Sequence, residues 1–206
     1  MFTQNTIRET PIVVAKAVFA HAVTHAKKDK EHLYRIFFYD CPPSKKKVQL
    51  PISKKTYDLS KSPVAQFRLE LYEQLKQKRK VALRLGKVND TQPTWYPKKE
   101  VMRQLINGKV KFENLVDGDF ALDIKQKQID MKLGVDIASV SFKQQVSKIV
   151  LVAGDSDFVP AAKLARREGI DFILDPMWNH ISPDLKEHID GLMSYCPKPI
   201  FNHKSK

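Results

Sequence analysis

The clearest pattern in the chain lies between residues 129 and 175. Two runs there are apolar throughout, Ile149-Val150-Leu151-Val152-Ala153 and Phe172-Ile173-Leu174, and being short and rich in β-branched residues they predict buried strands. Between them Val159–Glu168 predicts a helix stopped by Gly169, and Ile129–Val146 predicts another ahead of the first run. Residues Thr10–Lys27 predict a helix with Thr10 as N-cap and Pro11 in the first turn. Val14, Ala15, Val18, Ala22 and Val23 recur in it at helical spacing, although Ile12-Val13-Val14 alone also fits a short buried strand. Leu33–Asp40, aromatic and β-branched and closed by Pro42-Pro43, reads as a strand, and Lys80–Gly86 alternates like another. Val64–Lys80 reads as an amphipathic helix with Phe67, Leu69, Leu71 and Leu75 on its apolar side. Ser44–Lys61 is basic and broken by proline, an irregular insertion by this reading, and 88–123 gives no clear period. Apolar strands alternating with helices argue for a parallel sheet covered on both faces, hence an α/β class.

Length and composition narrow this. With 206 residues, 42% of them hydrophobic, the chain can bury one substantial core, so residues 1–206 are expected to form a single domain with a basic insertion near 44–62. No apolar run approaches the roughly 20 residues needed to span a bilayer, and the N-terminus carries no secretory pattern, so a soluble, cytoplasmic protein without a membrane partner is expected. Cys41 and Cys196 stand in no CxxC pair or zinc-like cluster and read as reduced and inert. A net charge of +13 directs attention to polyanions. The densest positive runs are Lys45, Lys46 and Lys47, the pair Lys54 and Lys55, and Lys76, Lys78, Arg79 and Lys80. They read either as solvated faces or as phosphate contacts. Trp95 and Tyr96 read as core or as stacking partners for unpaired bases. His21, His25 and His32 have no partner at recognisable metal spacing and are assigned no role.

The candidate chemistry is acidic. In an open parallel sheet the ligand crevice lies beyond the carboxyl ends of the strands, and Gly154-Asp155-Ser156-Asp157-Phe158 directly follows an apolar strand. Two carboxylates this close repel each other unless a cation or donors compensate, and hard oxygens at one point suit Mg²⁺ or Mn²⁺. The plainer alternative makes Ser156 or Asp157 an N-cap of the next helix. Asp130 and Asp136 fall six residues apart on the preceding helix, roughly 120° apart around its axis, so only one can face such a site squarely. Asp130, in the first turn, also suits the helix dipole. Asp136 lies between Val135 and Ile137 at the edge of an apolar face.

The stretch KQIDMKLGVDIASVSF followed by IVLVAGDSDFVPAAKLARREGIDFI resembles the C-terminal half of NYN domains, the LabA-like branch of the PIN-like nucleases. The family pattern of Lys-x-x-Asp, a second Asp six residues on, and an apolar strand ending in Gly-Asp-Ser-Asp-Phe falls here on Lys127, Asp130, Asp136 and Gly154 through Phe158, and the likeness is best over 125–180. The strand ending in YDCPP is similar, more distantly, to one that precedes a variable insertion in the family.

This resemblance implies a three-layer α/β/α fold, PIN-like and Rossmann-like, with a mostly parallel central sheet. It implies a ribonuclease in which Mg²⁺ or Mn²⁺ supports phosphodiester cleavage. Asp130, Asp155 and Asp157 are then catalytic and metal-binding, with Asp136 a further metal ligand. Lys127, Lys45, Lys46, Lys47, Lys78 and Arg79 are candidate contacts to single-stranded or structured RNA, and a homodimer is a candidate assembly. The alternative is a weakly active or inactive nucleic-acid-binding module of the same fold. The departure is N-terminal: family members begin with a strand closing in an Asp-Gly-x-Asn type motif, and here Met1–Thr10 offers none. Either the chain begins late or the domain has lost its first acid; Asp40 ends a different strand and is not counted on to replace it.

Overall fold

The computed structural model describes residues 9–28, 30–153 and 155–198. Most of Met1–Thr10, where the missing acidic strand was sought, lies outside the described residues, as does Gly154. In chain order the elements are α1 (Pro11–Lys28), β1 (Ile36–Asp40), β2 (Lys47–Gln49), β3 (Thr56–Asp58), α2 (Pro63–Lys76), β4 (Val81–Leu85), β5 (Lys87–Pro97), α3 (Lys99–Ile106), β6 (Phe120–Lys127), α4 (Ile129–Phe142), β7 (Lys148–Val152), α5 (Val159–Arg167), β8 (Asp171–Asp175), α6 (Pro183–Glu187) and β9 (Gly191–Leu192). The α/β class is therefore present. A single central sheet is not drawn: hydrogen bonds join the strands into four sheets, β1-β4, β2-β3, β5-β6 and β7-β8-β9.

The chain forms two compact units. One comprises Met1–Val14, Tyr39–Gln74 and Leu85–Ile129, the other Ala15–Phe38, Leu75–Arg84 and Asp130–Lys206. Helix α1 bears out the helical reading over the strand alternative: the Thr10 carbonyl accepts the first helical bond from Val14 N–H at 3.0 Å. Helices α2 and α4 stop four residues short of expectation: Gln144 at φ +49° closes α4, and beyond Lys76 the chain leaves α2 in a turn from Lys78 N–H to the Leu75 carbonyl before Lys80, at φ +65°, leads into β4.

In the first unit the expected irregular insertion is instead a hairpin. β2 and β3 pair antiparallel with Val48 opposite Tyr57, and Val48 is buried while its neighbours Lys47 and Gln49 are exposed. Asp58 then accepts Ser60 N–H and caps the short 3₁₀ turn Leu59–Lys61. The unreadable stretch holds the longest strand, β5, paired antiparallel with β6 and interrupted between Asn89 and Thr94. Trp95 is half-buried and donates its indole N–H to the Gln49 carbonyl at 2.8 Å, tying this ribbon to the hairpin.

Asp40, last residue of β1, is fully engaged. Its Oδ1 accepts Cys41 N–H at 2.8 Å and its Oδ2 accepts the Tyr72 hydroxyl at 2.8 Å, while the Arg68 guanidinium bonds both oxygens and the Cys41 carbonyl. Around this network Cys41, Ala65, Phe67, Leu71 and Tyr72 are buried. A carboxylate so committed is a structural anchor rather than a spare metal ligand.

The second unit is organised on β7-α5-β8. β7 and β8 run parallel from Lys148 opposite Asp171 to Val152 opposite Asp175, and the two-residue β9 adds on the far side of β8, also parallel. Phe172, Leu174, Ala162, Ala165 and Leu185 are fully buried here. Gly169 at φ +78° lets the chain leave α5 and enter β8.

Two predictions come from the first unit. Gly86 follows β4, where an added Cβ would lie 2.6 Å from the Lys127 carbonyl oxygen and 2.8 Å from Ile129 Cγ1, so Gly86→Ala should destabilise the chain by about 1–3 kcal/mol in denaturant melts. Burial, first, and the neighbouring Asp40 carboxylate together push the Tyr72 hydroxyl well above its ordinary value of about 10, with Arg68 opposing. Below about pH 10 folded and unfolded chains both hold that proton. Above it the unfolded chain loses the proton first, so stability falls with rising pH by at most about 1.4 kcal/mol per unit. Tyr72→Phe should flatten that alkaline limb of the stability curve while lowering stability at pH 7 by about 1 kcal/mol.

Candidate functional site

All four candidate aspartates of the acidic set belong to the second unit. Asp155 and Asp157 stand just past the carboxyl end of β7, both exposed. Asp155 Oδ1 accepts the Asp157 N–H at 3.1 Å, which closes the turn and starts the 3₁₀ segment Ser156–Phe158. The capping alternative is thereby revised: the N-cap position of α5 is Phe158, without a side-chain cap bond, and the carboxylate that organises the turn is Asp155. Asp130 is exposed in the first turn of α4. Among the described residues neither Asp130 nor the Asp157 carboxylate has a hydrogen-bond or ion-pair partner. Asp136 is differently placed: its Oδ2 accepts Arg84 Nε at 2.7 Å, and that guanidinium also lies 4.9 Å over the Phe37 ring.

Of the candidate phosphate contacts, Lys45, Lys46, Lys47 and Lys127 are exposed in the first unit. Arg79 is exposed and Lys78 half-buried in the second. Lys46 is not a free arm, since its ammonium donates to the Asp90 and Thr91 carbonyls at 2.6 and 3.0 Å.

A second constellation was missed in the sequence. Asp175, the last residue of β8 and the register partner of Val152, is completely buried, so its carboxylate stands at the same carboxyl edge of the sheet as the Asp155–Asp157 turn. Its Oδ2 lies 2.7 Å from His21 Nε2 and 2.8 Å from His25 Nε2, and its Oδ1 accepts the Met177 N–H at 2.8 Å and the Ser194 hydroxyl at 2.7 Å. His21 and His25 share a face of α1 because they are four residues apart. His25 is buried against Tyr195, ring centres 4.7 Å apart, and among the described residues its Nδ1 has no hydrogen-bond partner. Burial alone would raise the Asp175 carboxyl, but the Ser194 hydroxyl, the Met177 N–H, His25 and His21 outweigh it and hold it below the usual carboxylate range. Among the described residues the His, Cys, Asp and Glu side chains that gather three donor atoms within 4.8 Å of one another are His21, His25 and Asp175. Asp130, Asp155 and Asp157 are not gathered in that way. The signals were present in the sequence: a pair of histidines at i and i+4 on a helix, and an Asp closing an apolar strand.

Among the described residues no helix is long and apolar enough to cross a membrane. No curated protein and no solved structure matches the chain. The sequence profile of the NYN domain matches residues 58–195, about two thirds of the 206. With that match over an α/β architecture carrying acidic residues beyond a parallel strand, the chain belongs to the NYN domain family, whose fold is PIN-like and nuclease-like.

Proposed function

We propose that this protein is a ribonuclease that uses Mg²⁺ or Mn²⁺ to hydrolyse RNA phosphodiester bonds. The observation that carries the reading is the pair of exposed carboxylates, Asp155 and Asp157, on a closed turn directly beyond the carboxyl end of β7, inside the stretch matched by the family. The donor set fits a hard divalent ion: all-oxygen, solvent-facing, and without a lysine or arginine already neutralising Asp130 or Asp157 among the described residues. Bound there, the ion supplies Lewis-acid polarisation of the phosphate and a more acidic water. The residues do the rest. Asp155 holds the turn by accepting the Asp157 N–H, Asp157 presents an exposed carboxylate with no competing partner among the described residues, and Asp130, exposed on α4 and not gathered with these two, would have to move toward the turn to add a third oxygen. Asp136, whose Oδ2 already accepts Arg84 Nε, is the less available acid of α4.

The substrate is RNA, single-stranded or structured, drawn by the positive surface of a chain with net charge +13. Lys45, Lys47, Lys127 and Arg79 are the exposed candidates for phosphate contact, with Lys46 and Lys78 less available. The free cysteines and the lack of a spanning helix are compatible with work in the cytoplasm.

Labelled single-stranded RNA should be cleaved with Mn²⁺ and left intact with EDTA. Asp155→Asn should lower the rate by about 100-fold or more, since even outer-shell partners of a metal ligand are worth roughly 10- to 100-fold. Binding without metal-dependent cleavage in the wild type would instead identify a nucleic-acid-binding module. The logarithm of RNA affinity should fall linearly with that of salt concentration, and replacing Lys45 and Lys47 together by Ala should reduce the slope by about 1 to 2.

A further inference from the structure

We propose that His21, His25 and Asp175 form a binding site for a first-row divalent cation of the Zn²⁺ class, held through the two Nε2 atoms and Asp175 Oδ2. This inference does not rest on the ribonuclease reading.

Three observations point to a cation. The first is convergence: donors from residues 150 and 154 positions apart in the chain meet within 4.8 Å, with both imidazole Nε2 atoms directed at one carboxylate oxygen. The second is the division of labour on Asp175. Its Oδ1 is taken by the Met177 N–H and the Ser194 hydroxyl, an arrangement that fixes the carboxylate plane and leaves Oδ2 to face the histidines. Ligating carboxylates are held this way by their surroundings. The third is charge. The Asp175 side chain has no solvent exposure, and among the described residues its ion-pair partners are the two imidazoles, with no lysine or arginine. Buried carboxylates are paired with a cation or coordinate a metal, and a divalent ion supplies the missing charge directly.

The donor set selects the ion. Two imidazoles and one carboxylate suit Zn²⁺, Co²⁺ and their neighbours, whereas Mg²⁺ prefers oxygen and water. Metal–ligand bonds of about 2.0–2.2 Å at tetrahedral angles set donors roughly 3.3–3.5 Å apart. The present 2.7 and 2.8 Å therefore open by roughly 0.5–0.8 Å when the ion enters. His21 gives that room and an entry path, because its side chain is 16% exposed while those of His25 and Asp175 are sealed, at 4% and 0%. Three protein donors leave a fourth position for water. The unpartnered Nδ1 of His25 means that no acceptor orients that ring from behind, so micromolar rather than nanomolar affinity is expected.

The test is Zn²⁺ titration of the untagged full chain, with circular-dichroism melts as the check of folding. With millimolar Mg²⁺ present to fill the acidic turn, one equivalent of Zn²⁺ should bind at micromolar concentration and raise the melting temperature, and Co²⁺ under the same conditions should give a visible ligand-field band. His21→Gln should weaken Zn²⁺ binding about 10- to 100-fold, whereas Asp155→Asn should leave it unchanged, which separates this site from the acidic turn. As a measurement independent of any variant, Zn²⁺ should shift the ring proton signals of two histidines in the wild-type NMR spectrum. Binding by the wild type no tighter than by His21→Gln, or unshifted histidine signals, would overturn the proposal and leave the cluster as a hydrogen-bonded anchor only. Loss of Zn²⁺ in Asp155→Asn with retention in His21→Gln would overturn it as well.

Discussion

The second unit depends on how one buried carboxylate is satisfied. Asp175 closes β8 with no exposure, and a charge placed there is tolerated only if every lone pair it turns inward meets a donor. The donors come from three separate segments: His21 and His25 on α1, Met177 in the turn after β8, and Ser194 after β9. Satisfying one group therefore sets the positions of α1 and of the chain that follows the two-residue β9, which has few hydrogen bonds of its own. At the other end of the same strand Asp190 does similar work, accepting the Phe172 N–H at 2.9 Å and Arg166 Nε at 2.8 Å. β8 is thus held between two carboxylates, with Phe172 and Leu174 buried between them.

The same carboxyl edge carries a different kind of acid a few residues away. Asp155 and Asp157 lie in water, where two like charges are cheap to keep apart, and the Asp157 N–H donated to Asp155 partly offsets their repulsion. Sealed nitrogen and oxygen donors at Asp175 and open oxygen donors at the turn favour different cations, one borderline and one hard. Parallel pairing of Val152 with Asp175 brings both sets to one rim. The sheet register is therefore what relates them, and a slip of one residue would turn Asp175 away from α1 altogether.

How legible this was depends on where the apolar residues sit. β7, α5 and β8 were readable to within a residue or two, because both strands are continuous apolar runs, β8 buried over Phe172–Asp175 and β7 at Leu151, and Gly169 marks the helix end. β5 was not: most of its residues are exposed or half-exposed, its ladder lapses between Asn89 and Thr94, and Pro93, which has no N–H to donate, falls in the gap. The hairpin β2-β3 escaped for the same reason, since Val48 is the one buried position in either short strand. At the site, Asp155 and Asp157 declared themselves by following an apolar run. Asp175 follows one too, but its partners lie 150 and 154 residues earlier, and nothing local in the chain records that α1 returns to the end of β8.

Charge that is already engaged cannot serve twice, and this orders the remaining basic and acidic candidates. Lys46 belongs to the densest positive run, yet its ammonium is spent on the Asp90 and Thr91 carbonyls, where it fastens the start of the hairpin to β5. Lys80 likewise donates to the Leu33 carbonyl. Asp136 carries the family's second helical acid but meets Arg84 at 2.7 Å, and Arg84 is itself seated on Phe37. Recruiting Asp136 to an ion would require breaking a partly buried, hydrogen-bonded pair, a larger penalty than that of using Asp130, which stands exposed about one and two-thirds turns earlier. Each unit therefore commits part of its charged runs to its own construction, Lys46 in one and Lys80 and Asp136 in the other, and leaves Lys45 and Lys47 in the first, Arg79, Asp130 and Asp157 in the second, to meet a ligand.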